Sequence, residues 1–466
     1  MLKSKRKPLA LLLALLLCCT SLFIVPATAV AADDADFVPV LRFIASSDTH
    51  VTGAGDVKTQ RIDSMLGMAY DLAASDANYQ SLDAVLVVGD LTDDGTPEQF
   101  DAFDSTMKND LRDGTKLLAV VAKNHDGYNQ SRADIRATCE AMTGNGADFH
   151  VVLNGYHFIG LSASKDRLQH YDLGQLRWLK QQLDAAVKDD PNKPVFVMHH
   201  EPTVETVYGS SVYDGWGVPY FGAILRQYPQ AVEIAGHSHY PVNDPRSVWQ
   251  GAYTAVNTGA IAYAEFTVDA TRTYHPADSR DVANCWIVEA NAAGDLRLRG
   301  IDVNAQSVLC DFVMKNPADK ANRDFTPAKR KAASKAPAFA DGTAMTVTPT
   351  ENGCKVTVPA AQSTDGMPVI LYRISAKSAL GIPVAKSWTL AQYYRSDGAD
   401  EIELELQGLI PGSYTVSVTA ENAYGKQSQP LQTTVTATGK QGFGYLGVLI
   451  NLFFGRIKDF FVHLFW

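Results

Sequence analysis

Cysteine pairs of the C-x-x-C kind are missing from this chain. Of its six cysteines, Cys18 and Cys19 lie in an N-terminal apolar run, and Cys139, Cys285, Cys310 and Cys354 stand far apart. Without C-x-x-C spacing, neither a zinc knuckle nor a dithiol redox motif is indicated. Cys285 with Cys310 is a conceivable disulfide in an exported chain, but spacing alone does not decide it. Positive charge is short as well: 41 Lys and Arg stand against 51 Asp and Glu, a net of −10. Sequence-independent binding to nucleic acid depends on Lys and Arg neutralising phosphates, so this balance argues against nucleic acid as a partner. There is no low-complexity tract of any length. The 46% apolar and 20% charged content is that of a soluble globular protein, and 466 residues suggest two domains plus appendages.

The ends differ from the middle. Lys3, Lys5, Arg6 and Lys7 precede an apolar run from Leu9 to Val25, then Pro26 and A-T-A-V-A-A. A basic n-region, an h-region and small residues predict a secretory signal peptide over 1–32, cut after Ala29 or Ala32. Leu17 sits where a lipobox needs a small residue, so Cys18 and Cys19 do not mark a lipid anchor. The 41 basic residues less those four are 37, which gives the exported chain a net charge of −14. At the other end, 442–466 is aromatic-rich but divided by Arg456, Lys458 and Asp459, too interrupted for a membrane span. At helical spacing Leu446, Ile450, Phe453, Ile457, Phe460 and Leu464 share a face. The segment reads as an amphipathic tail lying in a membrane surface, which makes the chain secreted or cell-surface associated.

Between the ends, 38–314 alternates short apolar runs with amphipathic stretches. Ile62, Leu66, Ala69 and Ala73 repeat at helical spacing. So do Phe100, Phe103, Met107 and Leu111 after Pro97, and Leu176, Leu179, Leu183 and Val187. Strand–helix alternation predicts an α/β domain with a largely parallel sheet in at least part of it. Residues 315–337, rich in Lys, Ala, Asp and Pro, read as a linker. Over 338–437, period-two alternation and Gly/Pro turns point to a small all-β sandwich. There G-L-I-P-G-S-Y-T-V-S-V-T-A-E-N-A-Y-G-K-Q-S resembles the last third of a fibronectin type III domain, with Leu409, Pro411, Gly412, Tyr414 and the Asn422–Gly425 turn in that family's places.

The chemistry sits at five points, each just behind an apolar run. They are S-D-T-H with Asp48 and His50, G-D-L-T-D-D-G with Asp90, K-N-H-D with Asn124 and His125, M-H-H-E-P with His200, and G-H-S-H with His237 and His239. Ligands of α/β sheets bind beyond the carboxyl ends of strands, where all five fall. Carboxylate and amide oxygens mixed with imidazole nitrogens suit Mn, Fe or Zn, whereas a calcium cage is all oxygen.

In this order D-x-H, G-D-x-x-D, N-H-D, H-x-P and G-H-x-H resemble the calcineurin-like metallophosphoesterase superfamily, and G-D-L-T-D-D-G-T-P-E-Q-F is most similar to its bacterial cyclic-nucleotide-phosphodiesterase-like branch. The resemblance covers about 40–300 and implies a four-layer α-β-β-α sandwich, here followed by the small all-β one. It implies two divalent metal ions, with Asp48, His50 and His239 holding the first. Asp90 would bridge, and Asn124, His200 and His237 would hold the second. It also implies hydrolysis of a small phosphodiester or phosphomonoester by a metal-bridging hydroxide. His125 would protonate the leaving group, with Asp126 orienting its ring.

Several residues are read more blandly. His199, one step along the strand from His200, points to the opposite face. Asp93 stands where purple acid phosphatases carry a tyrosine, which argues against an iron-tyrosinate site. Lys123 replaces the family's usual glycine and puts the loop at Asn124 in question. His150, His157, His170, His275 and His463 have no partner at ligand spacing. Tyr128 and Tyr240 lie near the centre by sequence, and the aromatic, Gly-rich stretch 207–220 has the composition of a pocket roof. A second reading of the whole chain is a surface-attached binding protein whose phosphoesterase fold no longer turns over.

Overall fold

The computed structural model describes residues 37–165, 170–269 and 272–438. The signal peptide and the amphipathic tail expected from sequence lie outside them. No helix among the described residues is long and apolar enough to cross a membrane.

Two six-stranded sheets form the larger body. The first runs Ser307–Met314, Leu296–Asp302, Asn284–Asn291, Pro39–Ser46, Ala84–Val88, Lys116–Val120. The second runs Asp148–Leu153, Tyr156–Leu161, Val195–Met198, Ala231–Ala235, Thr254–Asn257, Val248–Gln250. Strands 39–46, 84–88 and 116–120 pair in parallel, as do 156–161, 195–198, 231–235 and 254–257. The rest of the first sheet is an antiparallel meander. The alternating half of the sequence thus makes the parallel halves, and 284–314 closes the first sheet with hairpins.

Three apolar layers hold this body together. The helices Val57–Ser75, Pro97–Asp110 and Arg132–Thr143 bury Ile62, Leu66, Phe100, Phe103 and Ile135 against Ile44, Val85 and Val87 on the outer face of the first sheet. The inner faces meet through Phe43, Leu86, Trp286, Phe158, Phe196 and Ile234. The helix Leu173–Asp189 packs Leu179 and Leu183 on Ile159 and Val197 of the second sheet. Helix, sheet, sheet, helix is the four-layer order expected. Each helix is started by its own sequence: Asp56, Thr96 with Pro97, Ser131, and an Asp172–Gln175 capping box.

Cys285 and Cys310 are free. A strand lies between theirs, and Cys285 faces the helices while Cys310 packs toward the inner layer. Side chains on opposite faces of a sheet cannot bridge, so that pairing is corrected.

Residues 315–337 are built onto the body rather than free of it. They include the helix Pro327–Ala333, and Arg323 is buried, donating to the Thr254 hydroxyl and the Pro229 carbonyl at 2.8 Å each. Phe325 packs on Phe312. With Arg330, which donates to the Pro245 and Val248 carbonyls, two guanidiniums and one aromatic ring anchor a stretch whose composition resembles a linker.

Beyond it, seven antiparallel strands form a three-stranded sheet, 346–350, 353–359 and 401–407, and a four-stranded one, 383–390, 369–378, 412–422 and 431–437. Val356, Leu404, Leu406, Tyr372, Val416 and Val418 fill the space between them. Tyr414 donates its hydroxyl to the Ile410 carbonyl at 2.8 Å, a corner found in such sandwiches. This sandwich docks on the larger body through Tyr394, which packs on Phe266 and donates to Asp278 at 2.9 Å, and through Ser396 on Asp302.

Candidate metal centre

Asp48 and His50 follow strand 39–46, Asp90 follows 84–88, Asn124 and His125 follow 116–120, His200 follows 195–198, and His237 and His239 follow 231–235. Adjacent strand ends bring the loops together. The Asp48 amide donates to the Gly89 carbonyl, His50 to Asp90, and Gly236 to His200. The turns are sharp: Asp48, His50, Asp90, His237 and His239 are five of the eight described non-glycine residues with positive φ. Such angles cost an L-residue of order 1 kcal/mol each, and clusters of them mark functional sites. Gly236 is needed by close approach, since a Cβ there would lie 2.2 Å from the Ser47 hydroxyl and 2.5 Å from Asp48 Oδ2.

Three sets of donor atoms each fall within 4.8 Å: Asp48 with His50 and His239, His50 with Asp90 and His125, and Asp90 with His200 and His237. His239 Nε2 lies 3.1 Å from Asp48 Oδ1, and His200 Nε2 3.2 Å from Asp90 Oδ2. Asn124 donates its amide to Asp90 Oδ2 at 3.0 Å. That bond leaves Asn124 Oδ1 buried without a partner, together with Asp48 Oδ1, Asp90 Oδ1, His50 Nε2 and His200 Nε2. Five orphaned donor atoms at one point fit a bound cation, because buried polar atoms otherwise find partners.

The rings are fixed from behind. Nδ1 of His200 lies 2.9 Å from the Val88 carbonyl, that of His239 3.1 Å from Tyr263 O, and that of His50 3.1 Å from Asp93 Oδ1. A carbonyl only accepts, so in His200 and His239 the Nδ1 carries a proton and Nε2 is the atom turned inward. This is how metal-binding histidines are usually oriented. Asp93 therefore does more than fill its place in G-D-x-x-D. Its carboxylate holds His50, and its carbonyl lies 2.7 Å from His125 Nδ1.

That last contact revises one expected role. Asp126 is fully buried and accepts from the Thr92 amide and hydroxyl and the Ala122 amide, at 2.9–3.0 Å. It ties two loops together, and the Asp93 carbonyl orients His125 instead. Burial, with the charge of Asp90 nearby, pushes the Asp126 carboxyl up to about 7.

The field of the site is mutual. Burial opposes the charge of Asp48, yet the imidazoles of His239 and His200 hold it well below the usual carboxylate range. Burial also opposes a charged His50, but Asp48, Asp93 and Asp90 raise it to about 9. Burial and the neighbouring His200 pull His237 down to about 4.

Surrounding residues sort clearly. His199 turns away, pairing with buried Glu233 at 2.8 Å and stacking on Phe221. Lys123 keeps a negative φ, so lysine fits the loop without strain, and its amine lies 2.7 Å from His170 Nε2. His170 reaches Glu201 at 2.8 Å, a buried carboxylate beside His200 that sequence reading missed. Tyr240 is fully buried and stacks on Tyr208, whereas Tyr128 is 58% exposed with its ring 4.8 Å from His125. Trp216, from the aromatic loop, stands edge-on to His237 at 5.1 Å, and Tyr263 flanks His239 at 4.2 Å. His150 pairs with His157, which reaches Asp189, and His275 lies 3.7 Å from Glu265. His463 lies outside the described residues.

The family described as calcineurin-like phosphoesterase matches residues 41–241, somewhat under half of the chain. All five motif loops, from Asp48 to His239, fall within the matched segment. No curated protein matches the chain. Among solved structures it is similar to a purple acid phosphatase from yellow lupin (Lupinus luteus) seeds at 14% identity and a TM-score of 0.42, covering 59% of this chain and 54% of that one. It is also similar to the phosphopantetheinyl hydrolase of Mycobacterium tuberculosis, at 14% identity and a TM-score of 0.27, covering 47% and 89%. The chain thus spans about half the length of the lupin protein.

Proposed function

We propose that this protein is an exported, dinuclear-metal-dependent phosphoesterase acting on small phosphodiesters or phosphomonoesters. The observation that carries the reading is the set of five orphaned donor atoms converging behind oriented imidazoles. Asp48, His50 and His239 would hold one ion and Asn124, His200 and His237 the other, with Asp90 between them. Two divalent ions there supply positive charge for phosphoryl oxygens and acidify a water.

The chain's own groups do the rest. With its Nδ1 proton on the Asp93 carbonyl, His125 has Nε2 left to give a proton to the departing alkoxide. Tyr128, Trp216 and Tyr263 rim the centre and position the substrate's organic part. The acidic surface repels long polyanions and so favours small substrates. The seven-strand sandwich is read as fibronectin type III-like, supported by its three-plus-four strand division and the Tyr414 corner.

The test is hydrolysis of bis-p-nitrophenyl phosphate and p-nitrophenyl phosphate with added Mn, Fe or Zn, or with chelator. Metal-dependent turnover of either is expected. A folded protein that binds none of these ions and turns over neither ester would favour the inactive binding protein instead.

A further inference from the structure

The hairpin joining Val369–Ser378 to Pro383–Leu390 ends in Ala379, Leu380, Gly381 and Ile382, all exposed. Leu380 is 86% exposed, more than any other large apolar side chain described, and Ile382 is 44% exposed. The turn is closed by backbone bonds from Ser378 to Ile382 and from Gly381 to Ser378, so these side chains are held outward by a formed turn. Exposed Lys377 and Lys386 flank it on the same two strands.

Strand register shows what lies beside this turn. Ser378 pairs with Tyr414, Tyr414 with Val435, and Gly412 with Ala437. The last strand therefore ends at the same edge as the turn, and residues 439–466 follow it in the sequence. Their sequence carries the apolar series Leu446, Ile450, Phe453, Ile457, Phe460, Leu464 with Arg456 and Lys458. The opposite end of the hairpin, at Val369 and Leu390, leads into Tyr393 and Tyr394 on the larger body. At ~3.3 Å per residue, strand 369–378 separates the two ends by ~30 Å.

We propose that this end of the sandwich is a lipid-docking surface. Leu380 and Ile382 enter the bilayer interface beside the tail, Lys377 and Lys386 sit among the headgroups, and the sandwich spaces the larger body ~30 Å from the membrane. A lipid surface fits better than a protein partner, since a stable protein interface buries about 800 Å² per side and a four-residue turn offers far less. Membrane attachment, by contrast, is built from two weak anchors, and here two emerge together. Glu351 and Glu405 lie at the same end on the other sheet, so apolar insertion rather than charge carries the contact.

The test uses the chain from Asp33 onward with vesicles of phosphatidylethanolamine and phosphatidylglycerol. The parent should co-sediment, and Leu380→Ser with Ile382→Ser should weaken partitioning about tenfold while leaving the thermal midpoint and soluble-ester turnover unchanged. A separate Leu380→Trp variant should shift to the blue on vesicle addition and be quenched by brominated lipid. A double variant that partitions like the parent would overturn the proposal. So would a parent that ignores vesicles, whether because the tail folds over the turn or because a second copy covers it, the latter visible as a dimer in sedimentation velocity. Turnover is read on a soluble ester throughout, so either failure leaves the phosphoesterase reading untouched.

Discussion

From Val38 to Arg323 the chain holds all eight of the described non-glycine residues with left-handed backbone and every described buried side-chain atom that lacks a partner. From Ser334 to Ala437 it holds neither. The sandwich does bury polar groups, but the Asn422 amide donates to the Lys335 carbonyl and the Ser428 hydroxyl accepts from the Ala420 amide. Both bodies have dense apolar cores. Five of those left-handed residues and five of those atoms gather at the strand ends around Asp90, in arrangements that folding alone does not reward. Violations of local rules concentrate where chemistry is done.

The largest effect that would test this contrast is on turnover. Asp90→Asn keeps the shape of the side chain but removes the charge placed between the two candidate ions. Turnover should fall about a thousandfold, roughly 4 kcal/mol in the barrier, with the thermal midpoint unchanged or slightly raised. Unchanged turnover would remove Asp90 from the centre. The opposite pattern is expected from Leu406→Ala, fully buried in the sandwich. It should cost about 2–5 kcal/mol of stability in a denaturant titration. Turnover per folded molecule should stay at the parent level, and a loss would mean that the two bodies work as one.

A smaller effect tests the turns themselves. Gly89 has φ +92, and a Cβ there would lie 2.5 Å from His200 Nδ1. Gly89→Ala should cost about 1–3 kcal/mol of stability and lower turnover through a displaced His200. If only stability changes, the turn is structural and His200 keeps its place without it.

Much of this was legible in the sequence because strand ends advertise themselves. An apolar run followed at once by Asp, His or Asn places five loops without any knowledge of pairing. The alternation rule separated His199 from His200. The supports were not legible. His200 and His239 are held by backbone carbonyls of Val88 and Tyr263, which every residue has and no motif marks. Asp126 looked like an orienting carboxylate because it follows His125, but its side chain was claimed by amides on loops 92 and 122. The stretch 315–337 looked loose because its anchors, Arg323, Phe325 and Arg330, are a small part of its composition.

The smallest predicted effect asks whether frustration in the larger body is confined to the centre. Asp63, on helix 57–75, is pushed up to about 6, first by partial burial and then by Asp110 at the end of helix 97–110. For a carboxyl whose folded value is raised above the unfolded one, the folded state binds more protons between the two values. Stability therefore falls as pH rises from about 4 to about 6 and is flat above that. Asp63→Asn removes this loss. Because the group is largely exposed, screening limits the gain to a few tenths of a kcal/mol. The gain should appear at pH 7.5 and vanish at pH 4, with turnover unmoved at either. A gain of the same size at both values would mean that the asparagine helps by something other than relieved repulsion, and the like-charge contact would then not count as a second strained point in this body.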